Sequence, residues 1–111
     1  MDIIFLDESL RRTVNNEKRL RRKFPGRRGK LIRQRLDELW AAVTLEDLRG
    51  LPGHCHELKY DRAGQLAIDL DQPFRLIFEP ANNPIPRHSG GNLDWTRVTA
   101  VRIIEVVDYH D

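Results

Sequence analysis

The feature that most constrains this chain is a change of hydrophobic period at Gly50-Leu51-Pro52-Gly53. Before the break, Ile32, Leu36, Leu39, Trp40 and Val43 follow one another at spacings of four, three, one and three, which draws one stripe along a helix. After it the apolar residues alternate. Leu66, Ile68 and Leu70 stand against Ala67 and Asp69, and Phe74, Leu76 and Phe78 against Arg75 and Ile77, the pattern of strands with two unlike faces. Helices followed by a run of strands predict an α+β fold, because each helix must bury its stripe and the following sheet offers one face for it.

The elements expected from this reading are few. Residues 3–6 form a short first strand, and Asp7 or Ser9 caps a helix over residues 10–23 by accepting from its free N–H groups. Phe24-Pro25-Gly26 stops that helix, since proline disfavours helix in the residue before it. A second helix covers residues 30–43, with Arg33 and Arg35 outside its apolar stripe, and Thr44 with Glu46 and Asp47 marks a capped turn. Strands follow at 56–60, 65–70, 74–78 and 98–107, the last apolar on both faces and therefore central. The sheet is expected to have about five mostly antiparallel strands, with the two helices on one face and the other open to a ligand. The whole, residues 1–111, reads as one domain with one modest core.

Apolar residues make up 40% and charged residues 32% of the chain, a balance that describes a water-soluble protein. No apolar run approaches the roughly 20 residues that span a bilayer, and Asp2 follows Met1 without a basic leader, so the expected compartment is the cytoplasm, with no membrane partner. The single cysteine, Cys55, excludes an intramolecular disulfide framework.

Charge is strongly segregated beneath a net +2. Residues 11–35 hold twelve Lys or Arg against one acid, Glu17, whereas the remainder holds seven against sixteen. Such a block, with Arg19, Arg22, Lys23, Arg27, Arg28 and Lys30 at its centre, neutralises phosphates and releases their counterions, the footprint of nucleic-acid binding. A solvated helical face, or a surface for an acidic protein, is the plainer alternative.

The proton-active residues gather on the strand-like half. His56-Glu57-Leu58-Lys59-Tyr60-Asp61-Arg62, Pro73-Phe74-Arg75-Leu76-Ile77-Phe78 and the closing Val106-Val107-Asp108-Tyr109-His110 supply two histidines, a lysine, two arginines and two tyrosines. RNA can be cut without a metal when its 2′-hydroxyl is the nucleophile, and the protein must then move two protons and neutralise a phosphorane. His56 and His110 suit the proton transfers, since an unperturbed histidine titrates at about 6.5. Arg75 can grip phosphate bidentately and Lys59 adds a point charge. Tyr109 suits proton transfer or stacking on a base, and Asp108 suits orienting a histidine. Arg62, in a turn, serves solvent or phosphate equally. Residues 56 and 59 point to opposite faces of a regular strand, so they share a site only if a bulge or turn lies between them. Arg75 also has a plainer role, an ion pair with Asp69 across the sheet.

The ordered series Leu51-Pro52-Gly53, His56, Leu58-Lys59, Asp61-Arg62, Arg75-Leu76-Ile77-Phe78 and Asp108-Tyr109-His110 resembles the HigB branch of the RelE/ParE superfamily of bacterial toxins, over nearly the whole chain. The resemblance implies a RelE/ParE-like fold and a ribosome-dependent messenger-RNA endonuclease without metal or other cofactor. It implies a partner, a HigA-like helix-turn-helix antitoxin, and it implies active-site roles for His56, Lys59, Arg75, Asp108, Tyr109 and His110. Two other readings accompany it: a non-catalytic toxin of the same fold, such as a gyrase inhibitor, and a basic RNA- or antitoxin-binding module with a decayed site.

Two further segments matter. His54, Cys55 and His56, with His88 or His110, invite a zinc reading, but no paired ligand spacing supports it and Cys55 is expected to be inert. Residues 79–95, rich in Pro, Asn and Gly, form a longer connection than the family resemblance implies. They are expected to be mobile decoration or, alternatively, a flap that brings Arg87, His88 and Trp95 to RNA or ribosome.

Overall fold

Strand β1 (Asp2–Phe5) leads into α1 (Glu8–Val14), whose N-cap Asp7 accepts from the Ser9 N–H at 2.8 Å. The fold is taken from a computed structural model, which describes residues 1–108. The single helix expected over residues 10–23 is instead two, α1 and α2 (Glu17–Lys23), because Asn15 caps the first and the Asn16 side chain caps the second, accepting from the Arg19 N–H at 3.1 Å. Asn side chains compete with the backbone for its own hydrogen bonds, which makes them better at ending helices than at continuing them.

Helix α3 (Arg27–Ala41) buries Ile32, Leu36 and Leu39, as the stripe predicts. Each such side chain contributes roughly 1.5–3 kcal/mol on burial, against a few tenths for the exposed Arg33–Asp37 pair, so packing rather than charge docks this helix. Two stripe assignments fail. Trp40 and Val43 are 68% and 76% exposed, and Trp40 instead lines a groove beside β1, an edge strand of the sheet. Arg35, expected outside the stripe, is buried; its guanidinium pairs with Glu38 at 3.0 Å and donates to the Asp69 carbonyl at 3.2 Å.

The expected turn after Thr44 is a 3-10 segment (Leu45–Gly50) closed by a Thr44/Asp47 capping box. Strands β2 (His56–Glu57), β3 (Leu66–Asp69), β4 (Phe74–Pro80) and β5 (Ala100–Asp108) follow. The sheet order is β1-β5-β4-β3-β2, with β1 parallel to β5 and every other pair antiparallel. β5 is thus internal, as its two apolar faces predict. One face of the sheet (Leu66, Ile68, Leu76, Phe78, Val101, Ile103) packs with the helices into the main core. Among the described residues, the opposite face carries a small apolar cluster, Leu58, Ala67 and Ile77 with Ile104 and Val107 against it. No helix among the described residues is long and apolar enough to cross a membrane.

The connection between β4 and β5 is not loose decoration. Asn82 accepts from the Thr99 and Ala100 N–H groups at 3.0 and 3.2 Å, and Arg87 and Leu93 pair as a small antiparallel bridge. Asp94 accepts from Thr96 and Arg97, and Trp95 is buried in the main core, its indole N–H donating to Glu57 at 3.0 Å. Trp95 is therefore a packing residue rather than a surface contact.

Candidate active site

The register places the candidate residues on the face away from the helices. His56 pairs with Ala67, Ala67 with Ile77 and Ile77 with Glu105, while Asp69 pairs with Arg75 and Arg75 with Val107. Directly opposed residues share a face, so His56 and Arg75 both stand on the side of the small apolar cluster. β2 is only two residues long. Beyond it, Leu58 is buried against that cluster, Lys59 is still extended, and the chain turns at Tyr60 into a 3-10 segment, Tyr60–Arg62. This turn resolves the parity problem between residues 56 and 59: His54, His56, Lys59, Tyr60 and Arg75 line one open groove of about 320 Å³.

His56 is held by its own neighbour. Its Nδ1 lies 2.7 Å from the His54 carbonyl oxygen, which can only accept, so Nδ1 carries the proton in that bond. The remaining nitrogen, Nε2, is then the lone-pair atom of the neutral ring and the one that exchanges a proton. The His54 ring stacks on that of His56 at 4.4 Å between centroids, with 19° between planes. Arg75 lines the groove, and its Nε lies 3.0 Å from Asp69 Oδ1, the ion pair expected across the sheet, which pins the guanidinium.

The local backbone is built for this placement. Gly53 has φ +107°, and a Cβ there would stand 2.7 Å from Ile68 Cγ2 and 2.9 Å from Arg35 Nε, so only glycine fits between β3 and the buried arginine. The Gly53 carbonyl accepts from the Asp69 N–H at 2.7 Å, tying the segment before His56 to the end of β3, whose Asp69 side chain pairs with Arg75 on β4. His54 and Tyr60, the two non-glycine residues with left-handed φ among those described (+49° and +58°), both line the groove.

Other candidates lie elsewhere. Asp108 pairs in register with Phe74, on the helix side of the sheet, and does not line the groove. Tyr109 and His110 lie outside the described residues. Arg62 donates to Glu105 at 3.1 Å and to Gln65 at 2.9 Å, which ties the turn to β5. Arg28 makes a two-pronged pair with Asp71 at 3.1 and 3.0 Å and covers the Phe74 ring at 3.4 Å, fixing the start of α3 to the β3–β4 turn. That anchor holds the Asp71 carboxyl below its ordinary range. Arg19, Arg22, Lys23, Arg27 and Lys30 are exposed, on α2 and the first turns of α3. Cys55 is inert in physical terms: burial pushes its thiol up to about 12. Among the described residues, no cluster of three or more His, Cys, Asp or Glu side chains could hold a metal ion.

His54, weighed in the sequence only as a zinc ligand, and Tyr60 are groove residues that the sequence pattern did not assign to this site. The available signal was position: one follows Pro52-Gly53 directly, and the other is an aromatic heading a polar turn.

The architecture, helices on one face of a five-stranded sheet, matches the RelE/ParE-like toxin fold. A solved chain of the YoeB-YefM complex from Staphylococcus aureus superposes with a TM-score of 0.55 at 14% identity, covering 100% of this chain and 98% of that one. A YoeB/ParE toxin from Agrobacterium tumefaciens aligns with a TM-score of 0.49 at 15% identity, over 99% of this chain and 100% of that one. No protein-family model matches the chain, and no curated protein matches it.

Proposed function

We propose that this protein is the toxin of a type II toxin–antitoxin pair, a ribosome-dependent endonuclease that cuts messenger RNA without a metal. The observation that carries the proposal is the groove in which His56, Lys59 and Arg75 converge, with His56 Nδ1 tied to the His54 carbonyl. In this reading His56 Nε2 takes the proton of the 2′-hydroxyl, the 2′-oxygen bonds to phosphorus, and the P–O5′ bond breaks. Lys59 and Arg75 offset the charge that builds on the phosphorane oxygens. His110, with Tyr109, protonates the departing 5′-oxygen, and Asp108 steadies that C-terminal segment. The products are a 2′,3′-cyclic phosphate and a 5′-hydroxyl.

The exposed cations Arg19, Arg22, Lys23, Arg27 and Lys30 engage the phosphates of messenger or ribosome. Arg28 and Arg62 contribute less, being committed to Asp71 and Glu105. The protein acts in the cytoplasm, where its template is, and needs no cofactor. Its silencing partner is a HigA-like helix-turn-helix antitoxin. The ordered residues of the HigB-like series support that branch, and the fold likeness to a chain solved in a YoeB-YefM complex supports a protein partner.

The test is a reconstituted translation reaction in which the 5′ ends of the messenger are mapped with and without ribosomes. Cuts within the translated region that require ribosomes are expected. Intact messenger under active translation would overturn the proposal in favour of gyrase inhibition or a purely binding role, neither of which has a use for His56.

A further inference from the structure

We infer that Tyr60 is a base-stacking platform, the part of the groove that takes one unstacked nucleobase of a single-stranded RNA while Lys59 and Arg75 hold the adjoining phosphate. The inference rests on the RNA reading above and names how that groove would grip its substrate. Three independent features of the residue point the same way.

The first is exposure. Tyr60 is 91% exposed, more than any other large apolar or aromatic side chain described, yet it lines the groove of His56, Lys59 and Arg75. A ring that exposed leaves its faces free to stack on a planar ligand.

The second is backbone strain. A non-glycine residue at φ +58° lies in the left-handed region that crowds Cβ against the following carbonyl oxygen, and a tyrosine has no short polar side chain with which to offset it. Such strain persists where the surroundings over-determine it, and it gathers at functional sites. Here the turn is fixed by backbone hydrogen bonds from Arg62 to Lys59, Ala63 to Tyr60, Gln65 to Arg62 and Leu58 to Gln65, at 2.9–3.1 Å. The ring is therefore held out by a rigid turn rather than left on a loose one.

The third is company. The other left-handed non-glycine residue is His54, whose ring stacks on His56 on the same groove. An aromatic ring beside a lysine and an arginine is the pairing that single-stranded nucleic acid uses, a face for the base and cations for its phosphate. Glu57 also lines the groove, and its carboxylate accepts from the Trp95 indole N–H at 3.0 Å.

The experiment uses a nine-residue RNA with 2′-O-methyl riboses, which lacks the attacking hydroxyl, and one 2-aminopurine whose fluorescence reports stacking. Wild-type protein is expected to quench the probe. Tyr60→Phe keeps the affinity, because stacking uses the ring and not the hydroxyl, whereas Tyr60→Ala weakens it about tenfold or more, the loss expected for one base–aromatic stack. Tyr60→Gly binds as poorly as Tyr60→Ala yet melts at a higher temperature than wild type, a combination that a purely structural tyrosine would not give. Equal affinity of Tyr60→Ala and wild type, or no quenching by wild type, would overturn the inference. Loss of antitoxin capture with RNA affinity intact would also overturn it, by making Tyr60 a protein anchor. Failure of the nuclease reading looks different: the probe is bound through Tyr60, but the wild type leaves translated messenger whole.

Discussion

Two irregular segments lie on either side of the β3–β4 hairpin in sequence, residues 53–62 and 81–99, and each offers histidine, arginine and an aromatic ring. They use them in opposite ways. In the second, Asp94 is buried, with Thr96 and Arg97 donating to it, and Trp95 is sunk in the core with its indole N–H on Glu57. In the first, Tyr60 is bare, His54 and Tyr60 sit in left-handed backbone, and Lys59 is exposed on an open groove. Irregular backbone alone is therefore no mark of function. The difference lies in whether the polar and aromatic groups are satisfied within the chain, as in 81–99, or presented outward at a cost in stability, as in 53–62.

That contrast can be broken by substitution. The largest effect is expected at Trp95. Replacing it with alanine should cost about 3–5 kcal/mol of stability in denaturant titration, the range for a buried aromatic, with no selective effect on RNA affinity beyond unfolding. A smaller loss would move the 81–99 segment toward the decoration that its composition suggests. Gly53→Ala comes next, at about 2–4 kcal/mol, since it adds both a left-handed penalty and a clash with Ile68 and Arg35.

Acid should sharpen the contrast further. The Asp94 carboxyl is held at about 2, below its ordinary 3.8, first by the Thr96 hydroxyl and then by Arg97. A lowered folded value means that the unfolded chain binds the proton more readily. The stabilisation is complete above about 3.8 and lost as pH falls through about 2. Melting temperature should thus fall less steeply from pH 4 to pH 2 in Asp94→Asn than in wild type, and parallel slopes would remove Asp94 from the account. In the groove segment the sign reverses: Tyr60→Gly should gain about 1–2 kcal/mol in the same titration, by relieving the left-handed backbone. The smallest effect concerns Cys55. With its thiol raised to about 12, folded protein should take up almost no thiol reagent at pH 8, and rapid labelling would mean that the segment opens.

Much of this architecture was legible in the sequence, because period and punctuation are local. The switch at Gly50-Leu51-Pro52-Gly53 located the boundary between helices and strands, the doubly apolar run at 98–107 located an internal strand, and the Asp69–Arg75 ion pair followed from alternation. What was not legible depends on neighbours distant in sequence. The stripe of α3 gives no sign that Trp40 overhangs the sheet edge, or that Arg35 is buried against the Asp69 carbonyl and Gly53. Composition made 79–95 look loose, because its anchors are single side chains such as Asn82 and Trp95 rather than a periodic pattern. For the candidate site, alternation flagged the parity conflict between His56 and Lys59, but only the turn at Tyr60 shows how the chain resolves it. Asp108 followed the same parity to the opposite face from Arg75.

On the proposed function, His56, Lys59 and Arg75 form an RNA-cleaving groove with His56 as its proton acceptor. The most direct test compares single-turnover cleavage of ribosome-bound messenger by wild type and His56→Ala, alongside their affinities for the same complex. The variant is expected to cleave about 10²- to 10⁴-fold more slowly, the usual worth of a positioned general base, with affinity unchanged and with cyclic-phosphate and 5′-hydroxyl ends in the wild-type products. Equal rates in the two proteins, or a loss that tracks affinity alone, would contradict it.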